Sequence, residues 1–248
     1  MEVFVGCCGF PVSMKKYFKE FSLVEIQQTF YKLPEVKTAE KWRKEAPKDF
    51  IFCLKAFQGI THPTSSLTWK RSGLEKSKLK SLEDKVGFLR ATKEVFDFWD
   101  KTLEICEVLS SPVCLVQLPA SFKEEEENVK NAEKFFSRIE RNNVSIALEL
   151  RGWSEKGVKE ICKKFDLISC VDPLANKPLN FSSKKIAYFR LHGKYENGKI
   201  NYKHKYGQEE LEKLKGIVEN LKVKKVFVLF NNIFMREDAL RFKKLLER

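Results

Sequence analysis

Short apolar runs along this chain repeatedly end on polar residues that sit on one side of an alternating pattern. In Ile146-Ala147-Leu148-Glu149-Leu150-Arg151, strand geometry sends Ile146, Leu148 and Leu150 to one face and Glu149 and Arg151 to the other. The same split opposes Ala187, Phe189 and Leu191 to Arg190 and His192, Val24 and Ile26 to Glu25 and Gln27, and Phe52 and Leu54 to Cys53 and Lys55. Asp172 falls in line with Ile168 and Cys170, Gln117 with Val113 and Leu115, and Asn231 with Phe227 and Leu229. The pattern predicts strands over 3–7, 23–28, 50–55, 113–118, 145–150, 166–171, 186–191 and 225–230. Several are apolar on both faces except at their C-terminal ends, as buried parallel strands are. Helices packed on such a sheet need an apolar outer face, so the polar residues must project the other way. In a sheet closed into a barrel they meet at its mouth.

Helical periodicity fills most of the intervals. Leu211, Leu214, Val218 and Leu221 form one stripe, Met235, Ala239, Phe242 and Leu246 another, and Val129, Ala132, Phe136 and Ile139 a third. Ser121-x-x-Glu124 reads as a capping box before the third stripe, with Glu124 to Glu127 near the positive end of that helix. Eight strands alternating with helices predict an α/β fold: a single-domain TIM-type (β/α)8 barrel over 1–248, a length that suits roughly 250 residues per barrel. No Gly-x-Gly-x-x-Gly follows the first strand and no phosphate loop is present, so nucleotide binding by either route is unsupported. The connection after the third strand is long. Residues 63–84, with Lys70, Arg71, Lys76, Lys78 and Lys80, form a basic insertion before a helix near 85–109, expected over the C-terminal face as a lid, a nucleic-acid contact or a solvated excursion.

The chain carries 47 Lys+Arg against 34 Asp+Glu, a net charge of +13, which favours anionic partners. The excess is spread along the whole length, and abundant Lys and Glu with little Met also resemble a heat-adapted surface. No run approaches the roughly 18 apolar residues of a membrane span. The sequence starts directly on Val3-Phe4-Val5 without a basic leader, so a cytoplasmic location and no membrane partner are expected. Seven cysteines lack C-x-x-C spacing; Cys53, Cys114, Cys162 and Cys170 sit in apolar patterns and read as core, whereas Cys7-Cys8 at the first strand's end admit a nucleophile.

The polar strand ends also carry a resemblance. Val5-Gly6-Cys7-Cys8-Gly9-Phe10, Val24-Glu25-Ile26-Gln27-Gln28-Thr29-Phe30-Tyr31-Lys32-Leu33-Pro34, Phe52-Cys53-Leu54-Lys55-Ala56 with Ile60-Thr61-His62, Val116-Gln117-Leu118-Pro119-Ala120-Ser121-Phe122, Ala147-Leu148-Glu149-Leu150-Arg151, Phe189-Arg190-Leu191-His192-Gly193 and Phe230-Asn231-Asn232 occur in order. As a set they resemble the family called domain of unknown function 72, the YecE-like proteins. The resemblance implies a TIM-type barrel and supplies no reaction. Gln27 and Phe10 stand where the family usually has Asn and Trp, so one amide contact and an aromatic shelf are expected to differ.

Barrel enzymes work at the C-terminal ends of their strands. Three readings of the converging residues are open. In the first, an enzyme holds a small anionic or phosphorylated, sugar-like molecule with Lys55, His62, Gln117, Arg151, Arg190, Asn231 and Asn232. Glu25 or Glu149 is then the general base and His192 the acid or electrophile. Arg190 and His192 lie about 6.5–7 Å apart along a strand, so one can grip while the other reaches the reacting atom. In the second, a divalent metal on Glu25, Glu149, Asp172 and His192 serves an isomerase or phosphodiesterase-like enzyme. Sugar isomerases and endonuclease IV-like nucleases place comparable ligands on barrels, although three histidines in all and the nearby cations weigh against it. In the third, a non-catalytic protein binds nucleic acid through the basic insertion, with Trp69 as a stacking surface. His204 is expected in solvent, and Tyr31, Tyr202 and Tyr206 are candidate donors into the mouth. The pattern leaves the oligomeric state open.

Overall fold

A computed structural model describes residues 1–196 and 199–247. In chain order the elements are β1 (Glu2–Cys8), α1 (Met14–Glu20), β2 (Leu23–Ile26), α2 (Gln28–Tyr31), α3 (Val36–Glu45), β3 (Ile51–Lys55), α4 (Gln58–Thr61), a 3-10 turn (Leu67–Arg71), α5 (Lys76–Ser81), α6 (Lys93–Val108), β4 (Val113–Gln117), α7 (Glu126–Arg138), β5 (Ser145–Glu149), α8 (Glu155–Lys164), β6 (Ile168–Ser169), β7 (Ile186–Leu191), β8 (Lys194–Glu196), β9 (Lys199–Asn201), α9 (Gln208–Glu219), β10 (Lys225–Phe230) and α10 (Met235–Leu246). Eight strands form one parallel sheet in the order β6-β5-β4-β3-β2-β1-β10-β7. Its two edges meet through a single parallel bridge between Val171 and Phe189, with the Arg190 amide donating to Val171 O at 3.0 Å. The result is a nearly closed barrel of the TIM type.

Every strand in the periodicity-derived set is present, several of them shorter. The reduction is largest for β6, where Asp166 turns in the left-handed region (φ 52°) and pairing with β5 ends after Ser169. The β6–β7 connection contains no helix, so the alternation is incomplete at that one step. The hairpin β8–β9, rising beside the mouth, has no precursor in the apolar pattern.

The core divides as the period of two requires. Leu23, Cys53, Leu115, Ala147, Tyr188 and Phe227 fill the barrel interior, while Val24, Leu54, Val116, Leu148, Phe189 and Val228 face the helical coat. Among the described residues no helix is long and apolar enough to cross a membrane.

Two local expectations are corrected. The Ser121-x-x-Glu124 capping box is not formed: α7 starts after Glu125, and the Glu124 carboxylate instead accepts the Ser154 amide at 2.6 Å, at the N-terminus of α8. A side chain on Gly157 would collide with that carboxylate, its Cβ falling 2.1 Å from Oε1, so the tie depends on glycine there. The insertion 63–84 is folded and not a bare loop. Trp69 is 2% exposed, donates its indole N–H to Pro63 O (2.9 Å) and His62 O (3.2 Å), and meets Phe57 edge-on. It packs the insertion down and offers no face for a nucleic-acid base. Gly87 (φ 80°) closes the far end, where a Cβ would lie 2.3 Å from Pro63 N and 2.4 Å from His62 C.

Candidate functional site

At the C-terminal ends of the strands the inward residues meet. In parallel register, Cys8 stands beside Glu25, Gln117 beside Glu149 and Leu229 beside Arg190, each pair on the inner side. The centre is Arg190, 1% exposed. Its Nη1 donates to Glu149 Oε2 at 2.6 Å and reaches Gln117 Oε1 at 3.3 Å, while Nη2 lies 3.0 Å from Glu25 Oε1. Glu25, fully buried, also accepts the Tyr188 hydroxyl at 2.7 Å and the Gln27 amide. Glu149 receives Arg151 as well, from Nε at 2.8 Å and Nη2 at 2.6 Å. Two carboxylates and two guanidiniums thus form one hydrogen-bonded network across the barrel. Burial alone would raise Glu149, but Arg190, then Arg151 and His192, outweigh it and hold that carboxyl well below the usual range.

Around this floor a cavity of about 380 Å³ is lined by Gln27, Tyr31, Lys55, Arg71, Gln117, Arg151, Arg190, His192, Tyr202 and Asn231. His192 is buried. Its Nδ1 lies 3.0 Å from Asn231 Nδ2 and its Nε2 3.5 Å from Glu149 Oε1 and 3.4 Å from Arg151 Nη2. Burial lowers the imidazole's pKa against the pull of Glu149, so the ring is neutral at neutral pH. Lys55 Nζ sits 3.9 Å above the Phe30 ring, and burial, then Arg190, bring its pKa down to about 7. Arg71 comes from the insertion and lies with its guanidinium 3.7 Å from the centre of Tyr31's ring. Beside the mouth, between β5, β6 and the β8–β9 hairpin, a second cleft of about 540 Å³ shares Arg151, His192 and Tyr202 with it and adds Trp153, Asp172, Lys177 and Tyr195.

Most of the residues read from sequence converge: Glu25, Lys55, Gln117, Glu149, Arg151, Arg190, His192 and Asn231 form the floor and wall of one cavity. Three lie elsewhere. His62 is buried behind Phe30, bonded to Thr61 Oγ1 at 2.8 Å, and burial brings it down to about 3. Asn232 points away from the mouth and ties Asp238 Oδ2 (2.7 Å) to His204 O (2.8 Å). Asp172 lines the adjoining cleft, where Oδ1 accepts the Leu174 amide at 3.0 Å, Oδ2 is buried without a partner among the described residues, and burial raises its pKa to about 6. Of the three tyrosines, Tyr31 and Tyr202 reach the mouth, whereas the Tyr206 hydroxyl is held by the backbone of Gly193. His204 is bonded to Glu210 and stacked edge-on against Tyr206, so it is not a free solvent residue. Burial pushes the Cys7 thiol up to about 12 and Cys8 well above the ordinary thiol range, which removes both as nucleophiles at neutral pH. Arg71 was visible in sequence only as part of a basic run; nothing in that run marked it as the residue that stacks on Tyr31 at the rim of the mouth.

The four residues assigned to a metal do not fit one. The space between Glu25 and Glu149 is filled by the Arg190 guanidinium, bonded to both, and the unpartnered oxygen of Asp172 lies in the other cleft. Among the described residues no group of three His, Cys, Asp or Glu side chains is placed to hold a metal ion. A fixed guanidinium does here what a bound cation would do for the carboxylates.

The two departures from the family pattern are also located. Gln27 spans to Glu25, and Phe10 packs edge-on against Tyr17 and Phe18 at the rim of β1.

Comparison with known proteins bears on the family and the fold. UPF0759 protein YunF of Bacillus subtilis (strain 168) is 25% identical over 265 residues, covering 94% of this chain and 85% of that protein. The crystal structure of a DUF72 family protein (TM1631) from Thermotoga maritima MSB8 superposes with a TM-score of 0.69 at 24% identity, over 100% of both chains. That of a DUF72 family protein (EF0366) from Enterococcus faecalis V583 gives 0.73 at 21% identity, over 100% of this chain and 98% of the other. The family model described as "Protein of unknown function DUF72" matches residues 11–248, and this chain belongs to that family.

Proposed function

We propose that the barrel mouth binds a small anionic molecule, a carboxylate or phosphate ester, and that the protein is an enzyme acting on it by proton transfer at His192. The observation that carries this reading is the charge balance of the mouth. Three guanidiniums, from Arg71, Arg151 and Arg190, stand against two carboxylates, with Lys55 in addition. Both carboxylates are engaged by Arg190, whereas Arg71 and Lys55 have no carboxylate partner among the described residues. An excess of positive charge in a confined, partly desolvated cavity attracts an anion, and Arg71 and Arg151 present planar forks suited to carboxylate or phosphate oxygens.

On this reading the proton-transfer role rests on His192 alone. Glu149 is held as a carboxylate by two guanidiniums and has its oxygens occupied, so it orients Arg151 and Arg190 and does not exchange a proton in turnover. Glu25 is fixed likewise between Arg190, Tyr188 and Gln27. His192, neutral and facing the cavity, is the group that takes or gives a proton.

Calorimetric titration with inorganic phosphate at low ionic strength tests this. Wild type should bind one equivalent, and Arg71→Met and Arg151→Met should each weaken binding about 10- to 100-fold, the range for losing a charge-assisted hydrogen bond. Absence of binding, or affinities unchanged by both substitutions in folded protein, would overturn the reading.

A further inference from the structure

Lys55 differs from the other basic groups of the mouth. It is buried, at 8% exposure, yet no carboxylate lies within ion-pairing distance among the described residues. Its Nζ rests on the face of Phe30, which attracts a cation but accepts only a weak hydrogen bond. The backbone beneath it is rigid: Thr29 Oγ1 donates to Lys55 O at 2.7 Å and the Ala56 amide donates to Leu115 O at 2.9 Å. Burial first and Arg190 second bring its pKa down to about 7, against the opposite pull of the more distant Glu25 and Glu149. A large share of the side chain is therefore free amine at neutral pH, held at the floor of a cavity whose rim carries Arg71.

We propose that Lys55 is a nucleophile that condenses with the carbonyl of a small ketone or aldehyde whose carboxylate or phosphate is held by Arg71 and Arg151. This rests on the anion-binding reading above and specifies its substrate class. The nitrogen lone pair attacks the carbonyl carbon, and the carbon–oxygen π pair moves to oxygen, which takes a proton as the nitrogen gives one up. The carbinolamine then expels its hydroxyl, protonated to water, as the nitrogen lone pair forms the C=N bond. One free amine, one carbonyl and one proton drawn from solvent become one protonated imine and one water, with no oxidant or reductant. His192, in the same cavity, carries the protons. The protonated imine withdraws electrons from the adjacent carbon, so the reaction class it serves is cleavage or formation of a bond to that carbon.

The test uses the full chain at pH 7, incubated separately with pyruvate and with dihydroxyacetone phosphate, then reduced with sodium cyanoborohydride and analysed by intact and peptide mass spectrometry. One equivalent of reduced adduct on the Lys55 peptide, suppressed by inorganic phosphate and absent in Lys55→Arg, is expected; the better of the two ketones identifies the anion as carboxylate or phosphate. No adduct, or adducts spread over surface lysines equally in Lys55→Arg, overturns the proposal. Mapping in wild type decides the matter even if the variant fails to fold. Calorimetry with phosphate separates the two claims. Phosphate binding without an adduct refutes the nucleophile and leaves the anion site, whereas neither signal refutes both.

Discussion

Replacing Arg190 with Met removes one guanidinium that serves two buried carboxylates, at 2.6 Å to Glu149 and 3.0 Å to Glu25. Glu149 keeps Arg151, and Glu25 keeps the Tyr188 hydroxyl and the Gln27 amide, so neither is stripped of every partner. Breaking a fully buried pair from one side costs about 3–5 kcal/mol because it leaves charge uncompensated, and Arg190→Met belongs in that range at pH 7. The pH dependence carries a sign. In wild type Glu149 is depressed below its ordinary 4.5, so its contribution is complete above that value and is lost as pH falls below it. In the variant the main opposing cation is gone and burial prevails, so Glu149 rises above 4.5 and the folded protein takes up a proton that the unfolded chain does not. The gap between variant and wild type must therefore narrow as pH falls from 7 to 5. Urea unfolding followed by tryptophan fluorescence at pH 7, 6 and 5 measures it. A cost below about 1 kcal/mol, or an equal cost at pH 7 and 5, would refute a network held by buried charge pairing.

Two further outcomes follow from single contacts. The Tyr17 hydroxyl accepts the Cys7 amide and donates to Leu23 O, both at 2.8 Å in the core between β1 and β2, so Tyr17→Phe should cost about 1–3 kcal/mol in the same unfolding assay; a neutral effect would contradict the bridge. Asp172 is raised to about 6 by burial, so its ionisation opposes folding as pH climbs from about 4 to 6, and stability falls across that window. Asp172→Asn should flatten that slope, and an unchanged profile would show that Oδ2 is not desolvated.

The strands and the inward-facing set were legible because a strand's period of two ties each side chain's direction to its neighbours. Once Leu148 faces helices, Glu149 must face inward. Which inward residues touch was not legible. Arg190 meets Glu25 across the barrel, from strands far apart in the chain, and only the register decides that meeting. Loops escaped for the related reason that no period governs them. Arg71 and Trp69 lie two residues apart in one basic run, yet one lines the rim of the mouth and the other anchors the insertion through His62 O and Pro63 O. Asn231 and Asn232 illustrate both cases. Asn231 continues the strand's alternation into the mouth, whereas Asn232, one step beyond, belongs to the turn into α10. Glu124 shows how a local motif loses to a distant partner, since its carboxylate accepts the Ser154 amide at the N-terminus of α8.

The mouth is proposed as an anion site built from separate strand ends and completed by the insertion. A crystal soaked in phosphate tests it most directly. A tetrahedral anion is expected between Arg71, Arg151 and Lys55, with the Glu25–Arg190–Glu149 network beneath it intact. Phosphate bound only at surface lysines while the mouth stays free of it, or a mouth whose guanidiniums turn outward to solvent, would contradict it.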